Sequence, residues 1–193
     1  MTNIYKRGFD IFFSLLGIVL LSPLFLVIYL IVRITEGSPV IYSQERIGLH
    51  GKPFMIYKFR SMVNNTEENG TPMLAEEDDC RLTRTGRMLR NTHLDELPQL
   101  WNVLKGDMSF VGPRPERKYF IDRIMEHDKR YEMLYRVRPG ITSNATIYNG
   151  YTNTMEKMLR RLEMDLDYLN HQSLWSDIRI IAKTVLSIVG IGR

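Results

Sequence analysis

The stretch GFDIFFSLLGIVLLSPLFLVIYLIV, residues 8–32, is apolar over almost its whole length. A helix of this length rises roughly 37 Å, which is enough to cross a hydrocarbon core about 30 Å thick. A cleaved signal peptide is disfavoured, because the apolar run is too long and ends at Arg33 without a small-residue cleavage site. The stretch therefore predicts a membrane anchor over residues 1–36, followed by a second domain over residues 37–193.

A proline near the middle of this run argues against a plain transmembrane span. Pro23 has no backbone N–H to donate, and its ring disfavours helical geometry at Ser22. A break at this point leaves two halves, Ile11–Leu21 and Leu24–Val32, which each rise only about 15 Å. We expect the Ser22 hydroxyl to bond to a carbonyl that the break sets free.

Basic residues flank the run on both sides, with Lys6 and Arg7 before it and Arg33 after it. The positive-inside rule therefore gives no preferred direction. Two arrangements remain open from these residues: a kinked span, since membrane helices tolerate proline, and a re-entrant hairpin with both ends on the same side. No later segment is long enough to span, so an active site is expected on one side of the membrane only.

The composition is that of a folded protein that favours anionic partners. Of the 193 residues, 44% are hydrophobic and 25% are charged, and Lys and Arg outnumber Asp and Glu by 26 to 22. This excess favours phosphates, anionic lipids or nucleic acid without choosing among them. The single cysteine, Cys80, excludes an internal disulfide, and the four histidines lack zinc-site spacing.

The remainder of the chain predicts a mostly helical α+β domain with a small β-hairpin. Two short strands are predicted within residues 39–62 around the turn GLHGKP, because apolar and polar residues alternate there. The polar residues 63–79 and the Pro/Gly-marked residues 139–150 predict loops. Helices are predicted near residues 83–92, 97–105, 116–136, 153–170 and 174–190.

The last predicted helix is amphipathic. Its apolar stripe consists of Ile178, Ile181, Val185, Ile188 and Val189. Such a stripe usually predicts core packing, and a helix that lies in the membrane interface is the alternative.

The stretch NTHLDELPQLWNVL, residues 91–104, places two carboxylates, Asp95 and Glu96, just before a predicted helix. Pro98 fixes the register, because its missing N–H costs nothing only within the first turn of a helix. We therefore predict that Asp95 is the N-cap or lies close to it. The residues Leu97, Leu100, Trp101 and Leu104 are then predicted to share one buried face.

A cap is the plain interpretation of Asp95, and chemistry is the alternative. A helix N-terminus attracts anions and keeps a nearby carboxylate ionised, and such a carboxylate beside a phosphate site is a plausible nucleophile. Two adjacent carboxylates also favour Mg²⁺, which takes carboxylates together with substrate phosphates. In KGDMSFVGPRP, residues 105–115, glycines and prolines predict a rigid loop that holds Arg114 for bidentate phosphate binding.

Several quoted stretches together resemble one family, the bacterial sugar transferases. The serine-proline pair within the apolar run, QERIGLHGKPFMIYKFRSM, RLTRTGRMLRNTHLDELPQLWNVLKGDMSFVGPRP and RPGIT occur in the familiar order and spacing. The likeness covers nearly the whole chain and is to the small monotopic polyprenyl-phosphate phosphoglycosyl transferases, without the extra transmembrane helices of the large members.

The resemblance implies a reaction, a location and a cofactor. A UDP-sugar gives its phosphosugar to undecaprenyl phosphate and releases UMP, in the first membrane step of glycoconjugate synthesis. The expected place is the cytoplasmic face of the bacterial inner membrane, where membrane lipid surrounds a re-entrant anchor broken at Ser22 and Pro23. The reaction is expected to need Mg²⁺ and to be ping-pong, with a covalent phosphosugar–enzyme.

The resemblance also implies roles for single residues. Asp95 resembles the nucleophile and Glu96 its partner in metal binding or proton handling, so that both are expected near the metal. Asp165 matches an acidic position that is important in the family. Lys58 and Arg114 fall where the family binds phosphates. Arg60, Arg81, Arg90 and Arg138 are further candidates from the sequence itself, and for them solvated surface positions are the alternative.

The chain departs from the family pattern in one loop. After RPGIT the family commonly continues GLAQVNGR, whereas this chain has SNATIYNGY, residues 143–151, and this difference bears on the choice of sugar.

Two other functions compete with the transferase. The second hypothesis is a membrane-anchored binding protein that uses Asp95 only as a cap. Nucleic-acid binding is disfavoured, because the cations are dispersed and no aromatic-rich RNA motif is present.

Overall fold

The computed structural model describes residues 4–63, 72–74, 79–150 and 152–188. Most of the loop predicted over residues 63–79 and the last two residues of the helix predicted to reach 190 lie outside this part. The fold is mostly helical α+β, as predicted. Its helices are α1 (Ile4–Leu20), α2 (Ser22–Thr35), α3 (Arg84–Asn91), α4 (Gln99–Lys105), α5 (Lys118–His127), α6 (Asn144–Tyr148), α7 (Met155–Asn170) and α8 (Leu174–Ile188). Its strands are β1 (Ile41–Ile47), β2 (Pro53–Phe59), β3 (Ser109–Val111) and β4 (Gly140–Thr142).

The apolar N-terminal run forms two helices, α1 and α2, that meet at a bend of 62°. Within the described residues, no single helix is long and apolar enough to cross a membrane, whereas this bent pair passes the same test of length and composition. The pair fits either a broken span or a re-entrant loop. The Ser22 hydroxyl donates to the carbonyl of Val19 at 2.8 Å, as predicted.

The position of the break differs from the prediction. Leu21 alone separates the two helices, and Ser22 and Pro23 are the first residues of α2. The proline is accommodated because the first turn of a helix has no intrahelical partner for its N–H groups. As a result the helices are longer than the predicted halves, with 17 and 14 residues. Lengths of roughly 25 Å and 21 Å still leave each below a core thickness of about 30 Å.

The first helix also contacts the rest of the protein closely. Arg7 donates to the carbonyls of Val103 and Leu104, at 2.7 Å and 2.9 Å, at the C-terminal end of α4. Asp10 is buried and accepts from the Ser109 hydroxyl at 3.0 Å, which ties α1 to β3. The anchor is therefore joined to the elements that carry the candidate site.

The predicted hairpin is confirmed. Strands β1 and β2 pair antiparallel, with Ile41 opposite Phe59 and Ile47 opposite Pro53. Lys58 thus lies at the end of β2, opposite Tyr42.

The helix that follows the two adjacent carboxylates begins later than predicted. α4 starts at Gln99, and its N-cap residue is Pro98, which forms no side-chain cap. Asp95 lies in a 3₁₀ turn, Leu94–Glu96, and is therefore not the N-cap. The predicted buried face of α4 is also wrong at Trp101, which is 54% exposed.

A two-stranded parallel sheet was missed by the sequence prediction. Ser109 lies opposite Gly140 and Val111 opposite Thr142, so β3 joins a region that was predicted to be only a loop. The predicted loop 139–150 likewise contains β4 and α6. The missing side chain of Gly140 explains the close approach, because a Cβ there would lie 2.1 Å from the backbone nitrogen of Gly112.

The single helix predicted over residues 116–136 is two helices. α5 ends before Asp128, and a 3₁₀ helix, Lys129–Arg136, follows. The reason is local, because the Asp128 side chain accepts from the backbone N–H of Arg130 at 2.9 Å and starts a new helix.

The largest apolar core lies between α5, the 3₁₀ helix and α7. Its buried members are Phe120, Ile121, Ile124, Tyr131, Leu134, Met158, Leu162 and Leu166. The stripe on α8 does not join this core: Ile178, Val185 and Ile188 are between 41% and 54% exposed. Ile181 alone of its described members packs inward, against the smaller cluster of Val111, Tyr168 and Ile180. This exposure favours the interface alternative for α8, although Val189 lies outside the described residues.

Candidate active site

Two adjacent carboxylates form the centre of the candidate site. Asp95 and Glu96 lie in the 3₁₀ turn that joins α3 to α4. The chain enters this turn through His93, whose φ of 55° lies in the left-handed region, which few residues other than glycine adopt. A strained residue of this kind beside polar groups is typical of functional sites.

Glu96 is fixed by cations from two distant segments. The Lys58 ammonium donates to Oε1 of Glu96 at 2.6 Å, and Nη1 of Arg114 lies 4.0 Å from the same oxygen. Burial raises the pKa of Glu96, but the charges of Lys58 and Arg114 outweigh it and lower this pKa to about 2. Glu96 therefore stays ionised throughout the physiological range.

Asp95 has a contrasting environment. It is only 4% exposed, and among the described residues no group forms a hydrogen bond or an ion pair with its carboxylate. Burial raises the pKa of Asp95, and the Glu96 charge adds to this, while Lys58 and Arg90 act in the opposite direction. The pKa of Asp95 is thus raised while that of Glu96 is lowered. Two neighbouring carboxyl groups with such different pKa values typically have different roles.

Three of the six predicted phosphate-binding cations gather around this pair. Lys58 from β2 and Arg114 from the loop after β3 face Glu96. Arg90 from α3 acts electrostatically on Asp95, and its Nη1 is buried without a hydrogen-bond partner in the described part of the chain. An unpartnered guanidinium nitrogen of this kind is suited to donate a hydrogen bond to an anionic ligand.

The other three predicted cations have partners elsewhere. Arg60 donates to the carbonyl of Glu36, Arg81 pairs with Asp79 at 2.7 Å, and Arg138 donates to the carbonyl of Gly106 at 2.8 Å. In the described residues none of them forms an ion pair with the two carboxylates. Their contribution to phosphate binding stays a prediction.

Asp165 lies close to the loop that carries Arg114. It is buried on α7, and its Oδ1 has no hydrogen-bond partner in the described part of the chain. Burial raises its pKa to about 7 and the Glu116 charge adds to this, whereas Arg161, the Ser143 hydroxyl and the backbone N–H of Arg114 lower it. Asp165 therefore borders the backbone of the Arg114 loop.

A buried ion-pair network beside Asp165 was missed by the sequence prediction. Glu116 pairs with Arg46 at 3.1 Å and with Arg161 at 2.7 Å, and all three side chains are largely buried. Two signals point to it in retrospect: Glu116 directly follows the GPRP segment, and Arg161 precedes Asp165 by four residues on one helix face. Removal of one member would leave an uncompensated buried charge.

Comparison with known proteins identifies relatives over nearly the whole chain. A family model described as "Bacterial sugar transferase" matches residues 1–190. The UDP-N-acetylgalactosamine-undecaprenyl-phosphate N-acetylgalactosaminephosphotransferase of Aeromonas hydrophila is 40% identical over 95% of the chain and 43% of its own length. The UDP-glucose:undecaprenyl-phosphate glucose-1-phosphate transferase of Klebsiella pneumoniae is 44% identical over 94% of the chain and 39% of its own length.

A relative of more similar length is also known. The UDP-glucose:undecaprenyl-phosphate glucose-1-phosphate transferase of Caulobacter vibrioides is 40% identical over 97% of the chain and 70% of its own length. The chain spans about two fifths of the length of the Aeromonas and Klebsiella proteins.

Proposed function

The chain belongs to the bacterial sugar transferase family, and on that premise we propose that it moves the sugar-1-phosphate of a UDP-sugar to undecaprenyl phosphate and releases UMP. The named activities of the relatives supply the two substrate classes. Their sugars differ, N-acetylgalactosamine in one and glucose in another, so the sugar of this chain is left to experiment.

The observation that carries the proposal is the contrast between Asp95 and Glu96. A carboxylate without hydrogen-bond partners keeps its lone pairs free for attack, and Asp95 has none among the residues that the structure describes. In the first step an oxygen of Asp95 bonds to the sugar-bearing phosphorus while the bond from that phosphorus to the UMP oxygen breaks. In the second step an oxygen of undecaprenyl phosphate attacks the same phosphorus, and Asp95 leaves as a carboxylate.

Lys58, Arg90 and Arg114 neutralise the diphosphate in this proposal. Lys58 and Arg114 come from different segments, and both approach one oxygen of Glu96, so a phosphate placed beside them meets two converging cations. Such fixed charges are worth most in phosphoryl transfer, where little covalent chemistry is left to the protein. Glu96 then holds the cations in place, since its own pKa of about 2 keeps it charged.

We also propose a Mg²⁺ ion as cofactor, bound by the two carboxylates together with substrate phosphates. Within the described residues no group of three or more His, Cys, Asp or Glu side chains could hold a metal. Two carboxylates fit Mg²⁺ nonetheless, because it is commonly bound by one or two of them plus phosphate oxygens and water. When bound, the ion would supply positive charge to the diphosphate. The protein itself supplies the nucleophile, Asp95, and the basic side chains Lys58, Arg90 and Arg114.

The location that we propose is the cytoplasmic face of the bacterial inner membrane, with α1 and α2 as a re-entrant anchor. A lipid-linked substrate requires access from the membrane, and the bent helix pair supports this. A labelling experiment separates the hairpin from a span, since native Cys80 is exposed and marks the side of the site. With an impermeant thiol reagent on intact cells, a hairpin leaves both Ile4→Cys and Cys80 unlabelled, whereas a span leaves only Cys80 unlabelled.

The competing function is a binding protein that uses Asp95 only as a cap, and among the described residues the Asp95 side chain caps no helix. The direct test is turnover. Purified protein is incubated with undecaprenyl phosphate, Mg²⁺ and a panel of UDP-sugars, and UMP is measured. Release of UMP with at least one sugar supports the transferase, and no release with any of them contradicts it.

A further inference from the structure

Asn102 is a polar side chain in the middle of α4 that is completely buried, with 0% of its surface exposed. Its amide oxygen accepts from the backbone N–H of Tyr57 at 3.1 Å, and its amide nitrogen donates to the carbonyl of Met55 at 2.7 Å. The second N–H of the amide points to the Asp107 carboxylate at 3.3 Å. The side chain thus uses both of its donors and its acceptor.

The two backbone groups that Asn102 meets belong to alternate residues of one strand. Met55 and Tyr57 lie opposite Glu45 and Ser43 in the two-stranded ribbon. A ribbon of this kind leaves every second pair of N–H and C=O groups on the edge that faces away from the partner strand. The Asn102 amide bonds to this edge in the same way as a peptide group of a third strand would. It thereby fixes the position of α4 along β2.

The candidate site depends on this register. Lys58 is the residue after Tyr57, and Glu96 lies just before α4, so the same two elements bring the Lys58 ammonium to 2.6 Å from Glu96. We propose that Asn102 is a positioning residue, which fixes α4 against β2 and thereby holds Lys58 beside the two carboxylates. This inference rests on the proposed transferase function and adds a residue to which that function assigns no role.

Apolar packing between the same elements does not explain the arrangement. Ile56, Val103 and Met108 form the cluster between β2 and α4. Such contacts are non-directional and tolerate small shifts between the two elements. An amide that makes three hydrogen bonds does not, because a shift in any direction lengthens at least one of them. A displacement of about 1 Å at a reacting centre costs about 100-fold in rate.

The test compares Asn102→Ala with Val103→Ala. Both residues lie in α4 with 0% exposure, but the Val103 side chain makes apolar contacts only. The space left by Asn102→Ala is lined by an N–H, a carbonyl and a carboxylate, so a water molecule can replace the amide and the variant is expected to fold.

Two readouts separate positioning from stability. Formation of the phosphosugar adduct is expected to fall about 100-fold in Asn102→Ala and less than about 5-fold in Val103→Ala, both measured well below their melting temperatures. In a background that already carries Lys58→Met, Asn102→Ala is expected to have little further effect, because its partner in the mechanism is gone. Equal losses in the two alanine variants, or full additivity with Lys58→Met, would overturn the inference.

The third readout needs no substrate. A water-soluble carbodiimide joins a lysine side chain to a carboxylate only where the two are in contact, so it reports the Lys58–Glu96 contact directly. The amide between Lys58 and Glu96, located by peptide mapping, is expected to form in wild type and in Val103→Ala and to fall several-fold in Asn102→Ala. Equal cross-linking in wild type and Asn102→Ala contradicts the inference even if wild-type protein releases no UMP, whereas failure of turnover alone contradicts only the proposed function.

Discussion

The ammonium nitrogen of Lys58 lies 2.6 Å from Oε1 of Glu96, although the two residues are 38 positions apart in the sequence. This ion pair leaves the neighbouring Asp95 without a partner of its own in the described structure. One carboxylate thus holds the cation, and the other is available to react.

Replacement of Lys58 by Met tests this division of roles. Without the Lys58 charge, burial dominates at Glu96, and the pKa of Glu96 is expected to rise from about 2 towards or above its ordinary value. Turnover is expected to fall by about 100-fold or more, as it does when one charge-stabilising donor is removed elsewhere. Lys52→Met on the same hairpin is the control, since Lys52 is exposed. Wild-type turnover in Lys58→Met would show that the ion pair plays no part.

The raised pKa of Asp95 predicts the acid side of the pH–rate profile. Attack requires the ionised carboxylate, so lowering the pH removes activity, and it does so at a higher pH than an ordinary aspartate would. Arg90→Gln removes a charge that lowers this pKa, so the acid limb is expected to move to still higher pH. Arg84→Gln, an exposed arginine of the same helix, is expected to leave the limb in place. A shift in the opposite direction for Arg90→Gln would contradict the account.

The raised pKa of Asp165 predicts how the stability of the folded protein depends on pH. Its pKa is about 7 in the folded protein and about 3.9 when unfolded, so between these values the folded state binds more protons. The free energy of unfolding therefore decreases as the pH rises from about 4 to about 7, by up to about 4 kcal/mol from this group, and levels off above that range.

Asp165→Asn is expected to abolish this contribution, because an amide of the same size stays neutral at every pH. The measurement is chemical unfolding in detergent at pH 5 and at pH 8. Relative to wild type the variant gains stability at the higher pH. Asp167→Asn, with an exposed side chain on the same helix, serves as control. Parallel pH curves for wild type and Asp165→Asn would rule out the raised pKa.

Gly86 lets α3 pack closely against the backbone that follows the hairpin, where a larger residue would not fit. A Cβ at this position would lie 1.8 Å from the carbonyl oxygen of Ser61, which is backbone and cannot rotate away. Gly86→Ala is therefore expected to lower the melting temperature by several degrees or more, despite the better helix propensity of alanine. Gly8→Ala in α1, where nothing lies within 4 Å, is expected to be neutral or stabilising. Similar melting temperatures for both variants would contradict the contact.

Features that depend on local chemistry were predicted well from the sequence. The serine-proline pair bends the apolar run, the alternation around GLHGKP produces the hairpin, and the hydroxyl of Ser22 bonds to Val19. In each case the residues that decide the structure are neighbours in the chain. Local chemistry was insufficient at Asp95, where a 3₁₀ turn took the place of the expected helix start.

Features that depend on contacts between distant segments were not predicted. The amide of Asn102 bonds to a strand 45 residues earlier, and Asp165 on α7 lies near the backbone of Arg114 in the loop after β3. The β3–β4 sheet likewise requires two glycines, Gly112 and Gly140, to meet. A single sequence contains no signal for such pairs, because any apolar or polar partner is compatible with the local pattern.

The covalent intermediate on Asp95 is the central claim, and intact-protein mass spectrometry tests it most directly. The protein is mixed with an accepted UDP-sugar and Mg²⁺ without undecaprenyl phosphate, and the adduct is located by peptide mapping. Glu96→Gln is compared with Asp95→Asn, so that each variant removes one carboxyl of the pair. The account predicts one phosphosugar mass on the Asp95 peptide of wild type and none in Asp95→Asn. An adduct on another residue, or full turnover by Asp95→Asn, would contradict it.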